Sequence, residues 1–322
     1  MKIFDTVYGE KEITEPVLVE LINSRPLQRL KGLAQYGLPD EYYHKKNFSR
    51  YEHSIGVLIL LRNLKADLGE QVAGLLHDVS HTAFSHVVDW FLGDPTKEDY
   101  QDKIHLEIIK DSKIPEILEN HGFSYLDISN LEAFSLLDRR APSLCVDRLD
   151  YAFRELISLI KIRSVKKMVS SLSNFNGQVV FLEKDNAKDF ANYYMELQKK
   201  HWAGDEARAR YHLLAEALKI AVDEKIISIK DLRKTDLEVI NLLLKNGDKR
   251  IVRRLDLLGN GFKVVESNQG IELRKKFRYI DPEILCGGKI KLLSEISKDY
   301  FDFINEEKEK AGSFKKIIII EK

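Results

Sequence analysis

Histidine and aspartate crowd the first half of this sequence in a pattern suited to metal chemistry. Six histidines precede residue 107: His44, His53, His77, His81, His86 and His105. Histidine is the commonest metal ligand and the usual acid–base group near neutral pH. His77-Asp78 closes the apolar run Ala73-Gly74-Leu75-Leu76, which reads as a buried helical stretch. Aspartate is seldom buried unless it is paired or bound to a metal. An adjacent nitrogen donor and anionic oxygen suit a hard or borderline divalent cation. His53 opens another helix, in Arg50-Tyr51-Glu52-His53-Ser54, so the two helices must pack side by side for both histidines to share one ion. Val146-Asp147-Arg148-Leu149-Asp150-Tyr151 offers a further carboxylate, and local spacing leaves open whether Asp147 or Asp150 reaches the ion.

A mostly helical scaffold is expected to hold these groups over the first 220 residues. Leu58, Leu61 and Leu64 recur at helical spacing, as do Val72, Leu75 and Leu76, and Leu213 through Ala221 form another stripe. Pro26 suits an early helix position. Asn176-Gly177 between Leu172–Phe175 and Gln178–Phe181 predicts a β-hairpin. After about residue 225 the pattern becomes mixed. Thr235 and Glu238 have the form of a capping box for a helix over Thr235–Lys245. A second helix over Lys249–Leu258 is expected to end near Gly259-Asn260-Gly261. Phe262–Val265, Ile271–Tyr279 and Lys315–Glu321 read as strands, and Ile290–Glu309 as a helix.

The bulk numbers remove several function classes. With 322 residues, 44% hydrophobic and 32% charged, the chain fits a globular protein of one or two domains. Lys+Arg and Asp+Glu both total 51, so the basic excess of a dedicated nucleic-acid binder is missing. Cys145 and Cys286 form neither a disulfide scaffold nor a zinc motif. No aliphatic run approaches a bilayer span. The charged start, MKIFDTVYGEKEI, lacks the apolar core of a signal peptide, so a cytoplasmic location is expected.

Four blocks in order carry a family resemblance: Arg50–Ser54, Ala73–Asp78, Ser80–His86 and Asp147–Tyr151. They resemble the signatures of HD-domain phosphohydrolases, most of all the deoxynucleoside-triphosphate triphosphohydrolases that include the SAM-and-HD-domain enzyme. Arg278-Tyr279-Ile280-Asp281-Pro282 also looks like family sequence. Together with the resemblance, these patterns predict a mainly α fold: a helical HD domain over 1–225 with a small β-hairpin, and a C-terminal α+β extension over 226–322 packed on it. It implies one or two divalent ions (Mn, Mg, Fe, Co, Ni or Zn) on His53, His77, Asp78 and Asp147. By the same resemblance His86 is the catalytic histidine, Asp89 orients it, and His81 contacts the α-phosphate region, with His105 nearby. Gln35 would touch the sugar, Arg50 and Arg148 the phosphates, and Tyr151 the deoxyribose face.

Two positions depart from the family pattern. Glu155 stands where the family has an aspartate on the sugar 3′-hydroxyl, and His105-Leu106-Glu107 stands where it has His-Glu. Three functions follow as hypotheses: hydrolysis of a dNTP to deoxynucleoside and triphosphate; another hydrolase activity on the same site (nucleotidase, phosphodiesterase or nuclease); or a nucleotide-binding regulator without turnover. A nucleotide is the expected partner and a homo-oligomer the expected state.

Overall fold

The helix Arg50–Asn63 starts where Ser49 accepts the Glu52 backbone N–H and the Glu52 carboxylate returns to the Ser49 N–H. Asp67 caps Leu68–Leu76 in the same manner through Glu70 N. The computed structural model describes residues 1–272, 277–311 and 316–322. The chain is mainly α-helical with small sheets. Its core is one apolar cluster drawn from the whole length, from Val7 and Ile13 to Tyr300 and Ile317.

Three helices position the chemistry: Arg50–Asn63, Leu68–Leu76 and Val146–Leu156. Two glycines let them approach. A Cβ on Gly56 would lie 1.9 Å from Arg154 Nη2 and 2.0 Å from Asp150 Oδ1, and one on Gly74 would lie 2.2 Å from Leu61 Cδ1. Backbones this close carry His53, His77 and Asp147 to one point.

The hairpin at Asn176-Gly177 forms as expected, with strands Leu172–Phe175 and Gln178–Phe181 and positive φ at both turn residues. The capping box at Thr235 opens the helix Asp236–Asn246, and Lys249–Asn260 ends at Gly261 with φ +84°. Other expectations change. Residues 2–12 form a hairpin, Lys2–Asp5 against Gly9–Glu12, in a segment read as part of the helical body. Its turn is held by Asp5 Oδ1, which accepts Val7 N–H and Tyr8 N–H. The single helix expected over Ile290–Glu309 is divided. Lys289–Leu292 is a strand paired with Glu283–Cys286 across Gly287-Gly288, and helices Leu293–Ile296 and Lys298–Ala311 follow. That pair joins the first hairpin through Phe181 and Ile284, giving a four-stranded sheet. Phe262–Glu272 is one strand, longer than expected, and it pairs with Lys316–Glu321. Of the strand expected over Ile271–Tyr279, residues 273–276 lie outside the described residues and 277–279 are not strand. Lys315, the first residue of the expected last strand, also lies outside them.

Candidate metal centre and its cavity

His53 Nε2 lies 3.2 Å from His77 Nε2 and 2.9 Å from Asp147 Oδ1, and His77 Nε2 lies 3.6 Å from the same oxygen. Asp78 borders two of the three, with Oδ1 3.4 Å from His77 Nε2 and Oδ2 3.8 Å from His53 Nε2. Two donors each about 2.1 Å from a common ion stand roughly 3.0–3.4 Å apart in octahedral or tetrahedral geometry. The 2.9–3.6 Å spacings among His53, His77 and Asp147 lie near the edges of such a polyhedron, and the Asp78–His53 distance of 3.8 Å is longer.

Both imidazoles are aimed by their far nitrogens. His53 Nδ1 lies 2.7 Å from Asp150 Oδ2, and His77 Nδ1 lies 2.7 Å from the Gly74 carbonyl oxygen. Each Nδ1–H is donated outward, so Nε2 is the nitrogen presented to the centre. This resolves the pair the sequence left open: Asp147 joins the donor cluster, and Asp150 stands behind His53.

Charge balances the cluster. Burial would lift the Asp78 carboxyl, but Arg50, His77 and His81 outweigh it and hold the group well below the usual carboxylate range. Asp147 is lowered likewise, against its burial, by the hydrogen bonds of His53 and His77. Burial opposes protonation of His53, yet its bonds to Asp147 and Asp150 raise it to about 9. The cluster is thus an anionic cup that holds protons where no cation is present.

A second group, Asp138, Cys145 and Asp147, also brings possible donors together. There Arg148 Nη1 lies 3.0 Å from Cys145 Sγ, so a guanidinium already supplies positive charge.

The cluster opens into a cavity of about 460 Å³. Its wall includes Gln35, Arg50, His81, His86, Arg148, Tyr151 and Glu155 from the sequence reading. Their contacts refine the expected roles. The Arg50 guanidinium is engaged by Asp78 Oδ2 at 2.7 Å and Ser85 Oγ at 2.8 Å. Arg148 donates to the carbonyls of Ser143 and Arg139 at 2.6 and 3.1 Å. The Tyr151 hydroxyl meets Tyr194 at 2.7 Å. Glu155 is buried, accepting from His201 Nδ1 at 2.8 Å and Trp202 Nε1 at 2.5 Å.

His81 Nε2 sits 3.2 Å from Asp78 Oδ1, and burial with the Arg50 charge pushes this imidazole well below its ordinary range. His86 stands edge-on to His81 with ring centres 5.0 Å apart, its Nδ1 3.4 Å from Asp89 Oδ2. The loop carrying them is strained: Phe84 and Ser85 adopt φ of +65° and +46°. Two of its backbone N–H groups reach residues far along the chain, Ala83 to Leu232 O at 2.7 Å and Phe84 to Asp236 Oδ1 at 2.8 Å.

Not every expected residue arrives at the wall. His105 is buried with Nδ1 3.1 Å from Ser80 Oγ, behind the loop. Glu107 is exposed and pairs with Arg233, away from the cavity. Other wall residues carried no sequence signal: Tyr36, Tyr43, Glu98, Asp102, Arg139, Arg140, Trp202 and Tyr211. Trp202 ends a π-helical turn, Gln198–Trp202, a local distortion that no pattern in the sequence marks. Arg278, from the last family-like block, closes one side and pairs with the buried Glu98.

The HD domain profile matches residues 50–151. The metal-dependent phosphohydrolase cns2 of Cordyceps militaris is 33% identical over 89% of this chain and 86% of its own length. The deoxynucleoside triphosphate triphosphohydrolase SAMHD1 homolog of Dictyostelium discoideum is 22% identical over 90% of this chain and 62% of its own. Among solved structures, a phosphohydrolase from Bacteroides thetaiotaomicron superposes with a TM-score of 0.75 over the full length of both chains, at 17% identity, a likeness of fold. With the histidine–aspartate cluster set on that frame, the chain belongs to the HD-domain family of metal-dependent phosphohydrolases.

Proposed function

We propose that the protein hydrolyses a nucleotide, with a dNTP giving deoxynucleoside and triphosphate as the leading reaction. The observation that carries this reading is that one cavity wall brings three chemistries together. The donor cluster lies at one part, Arg139, Arg140, Arg148 and Arg278 supply cations, and Tyr36, Tyr43, Tyr151, Trp202 and Tyr211 supply ring faces. Guanidinium groups suit phosphate oxygens, and aromatic faces suit a base or sugar.

In this reading His53, His77, Asp78 and Asp147 hold a divalent ion. When bound, such an ion polarises a phosphoryl oxygen and lowers the pKa of water. The chain's own groups do the rest. His86, steadied by Asp89, donates a proton to the leaving oxygen. Arg50 keeps the Asp78 carboxylate oriented through their 2.7 Å bond. Residues 226–322 pack on a hydrolase body of 1–225 and hold its catalytic loop, and the protein works as a homo-oligomer in the cytoplasm.

A second reading is a nucleotidase or phosphodiesterase. It is favoured by Glu155, whose carboxylate is occupied by His201 and Trp202 and so is not free for a sugar hydroxyl. One assay separates the two. Protein loaded in turn with Mn, Mg, Co and Fe is offered each dNTP, NTP and mononucleotide, and products are resolved by ion exchange. Tripolyphosphate with nucleoside supports the first reading; orthophosphate from mononucleotides supports the second. No turnover with any metal rejects both.

A further inference from the structure

The helix Tyr100–Lys110 carries two side chains that bear on the site, one turn apart. His105 is buried against Ser80. Asp102 precedes it by three residues and falls on the same helical face, where it forms part of the cavity wall with His86. One carboxylate ties the two together. Asp89, fully buried, faces His86 Nδ1 with Oδ2 at 3.4 Å and accepts the Tyr100 backbone N–H with Oδ1 at 3.0 Å. The first turn of the Asp102 helix is therefore anchored to the same group that aims the imidazole. With Nδ1 turned to Asp89, His86 directs Nε2 to the cavity.

We propose that Asp102 is a positioning and proton-relay residue for His86, passing protons between solvent and Nε2 during phosphoester cleavage. The proposal rests on the hydrolase reading. The proton path balances. Water forms the new P–O bond and releases one proton to solvent. The scissile P–O bond breaks with its electron pair on the leaving oxygen, which takes the proton from His86 Nε2. The Asp102 carboxyl then returns a proton to Nε2 and recovers one from solvent.

The charged surroundings suit that exchange. Asp102 is exposed to solvent where it lines the cavity. Burial of its carboxyl end raises it to about 6, the nearby His86 opposes this, and Asp138 and Asp78 across the cavity add to the rise. Gln101 Nε2 donates to it at 3.2 Å. His86 is faced by Asp89, His81 and Asp102. A carboxyl that titrates near neutrality can both give and take a proton under working conditions. Leu106 leaves the buried part of this helix without a carboxylate, and Asp102 supplies one a turn earlier.

Two measurements test this. In Zn²⁺-loaded protein, the Asp102 carboxyl is followed by ¹³C NMR across pH 4–8. The midpoint is expected near 6 and should move upward in His86→Gln, which removes the imidazole that opposes the rise. An unmoved midpoint overturns the pairing. Asp102→Asn and Asp102→Glu are then assayed on dATP and on the p-nitrophenyl ester of thymidine 5′-phosphate. The proposal expects Asp102→Asn to lower kcat about tenfold or more at unchanged KM, with the pH profile altered, and Asp102→Glu to restore most of both. A uniform loss at every pH, with a lower Tm, overturns it in favour of a structural role. If neither compound is cleaved by the parent protein, the hydrolase reading fails on these substrates, and the titration alone decides the pairing.

Discussion

Asp150 Oδ2 lies 2.7 Å from His53 Nδ1, on the edge of the ring opposite the donor cluster. The same carboxylate accepts Arg154 Nε at 2.7 Å, and Arg154 reaches Asp5 at 2.6 Å. Outer partners of this kind fix the tautomer and strengthen the ligand. Asp150→Asn is expected to weaken divalent-metal affinity by about 10–100-fold. Calorimetric titration with Mn²⁺ checks it, and an unchanged affinity would remove Asp150 from the ligand-orienting role.

The 2.9 Å contact between His53 Nε2 and Asp147 Oδ1 needs a proton in the metal-free protein. His53 is raised to about 9 in the fold against 6.5 as its ordinary value. Its stabilising contribution is therefore fully present below about 6.5 and is lost as pH rises through 9. Metal-free protein should lose stability over that window, by an amount on the order of 3 kcal/mol. A bound cation replaces the proton, so metal-loaded protein should show a flatter curve and a metal affinity that climbs with pH. Tm measured from pH 6 to 9, with chelator and with Mn²⁺, tests both. Parallel curves would contradict the competition.

His86 touches Asp89 and His81 but is not among the three close metal-type donors. His86→Gln should retain metal content while turnover falls by about 10²–10⁴-fold. Elemental analysis beside a single-turnover assay separates the two effects. Retention of most activity would displace His86 from the catalytic role.

Gly56 decides between two opposing magnitudes. Alanine in a helix interior gains about 1 kcal/mol over glycine. Here the new Cβ would meet Arg154 Nη2 and Asp150 Oδ1 within 2.0 Å, both atoms belonging to a buried ion-paired network. Overpacking costs about 1–3 kcal/mol, and groups held in a network yield least. Gly56→Ala should lower the urea midpoint and weaken metal binding together. A gain in stability would show that the two helices can separate without cost.

Much of the centre was legible because adjacent histidine and aspartate on an apolar stretch have few structural uses. The hairpin at Asn176-Gly177 and the helix start at Thr235 were legible because turn and cap chemistry is local. Asp147 was fixed by resemblance, since choosing it over Asp150 depends on how Val146–Leu156 is rotated against Arg50–Asn63. Spacing within one helix does not report that rotation. Trp202 reaches the cavity at the end of a π-helical turn, which shifts side chains off the α-helical period. Asp102 is one of several exposed charges on its helix, and nothing in their pattern marks the one that lines the cavity. The hairpin at Lys2–Glu12 escaped because its strands are four residues long and show no apolar–polar alternation, Lys2-Ile3-Phe4-Asp5 against Gly9-Glu10-Lys11-Glu12. Gly287-Gly288 was the turn signal that could have made Lys289–Leu292 a hairpin strand and moved the start of the last helix later.

Asp236 accepts backbone N–H groups from both Ala34 and Phe84. The first precedes Gln35 on the cavity wall, and the second precedes the loop residue Ser85. The family profile ends at residue 151, some way short of this carboxylate. A border drawn by sequence likeness is therefore not a mechanical border. Anyone shortening the chain to its recognisable core, or grafting that core elsewhere, would cut the strut that keeps two separate loops in register.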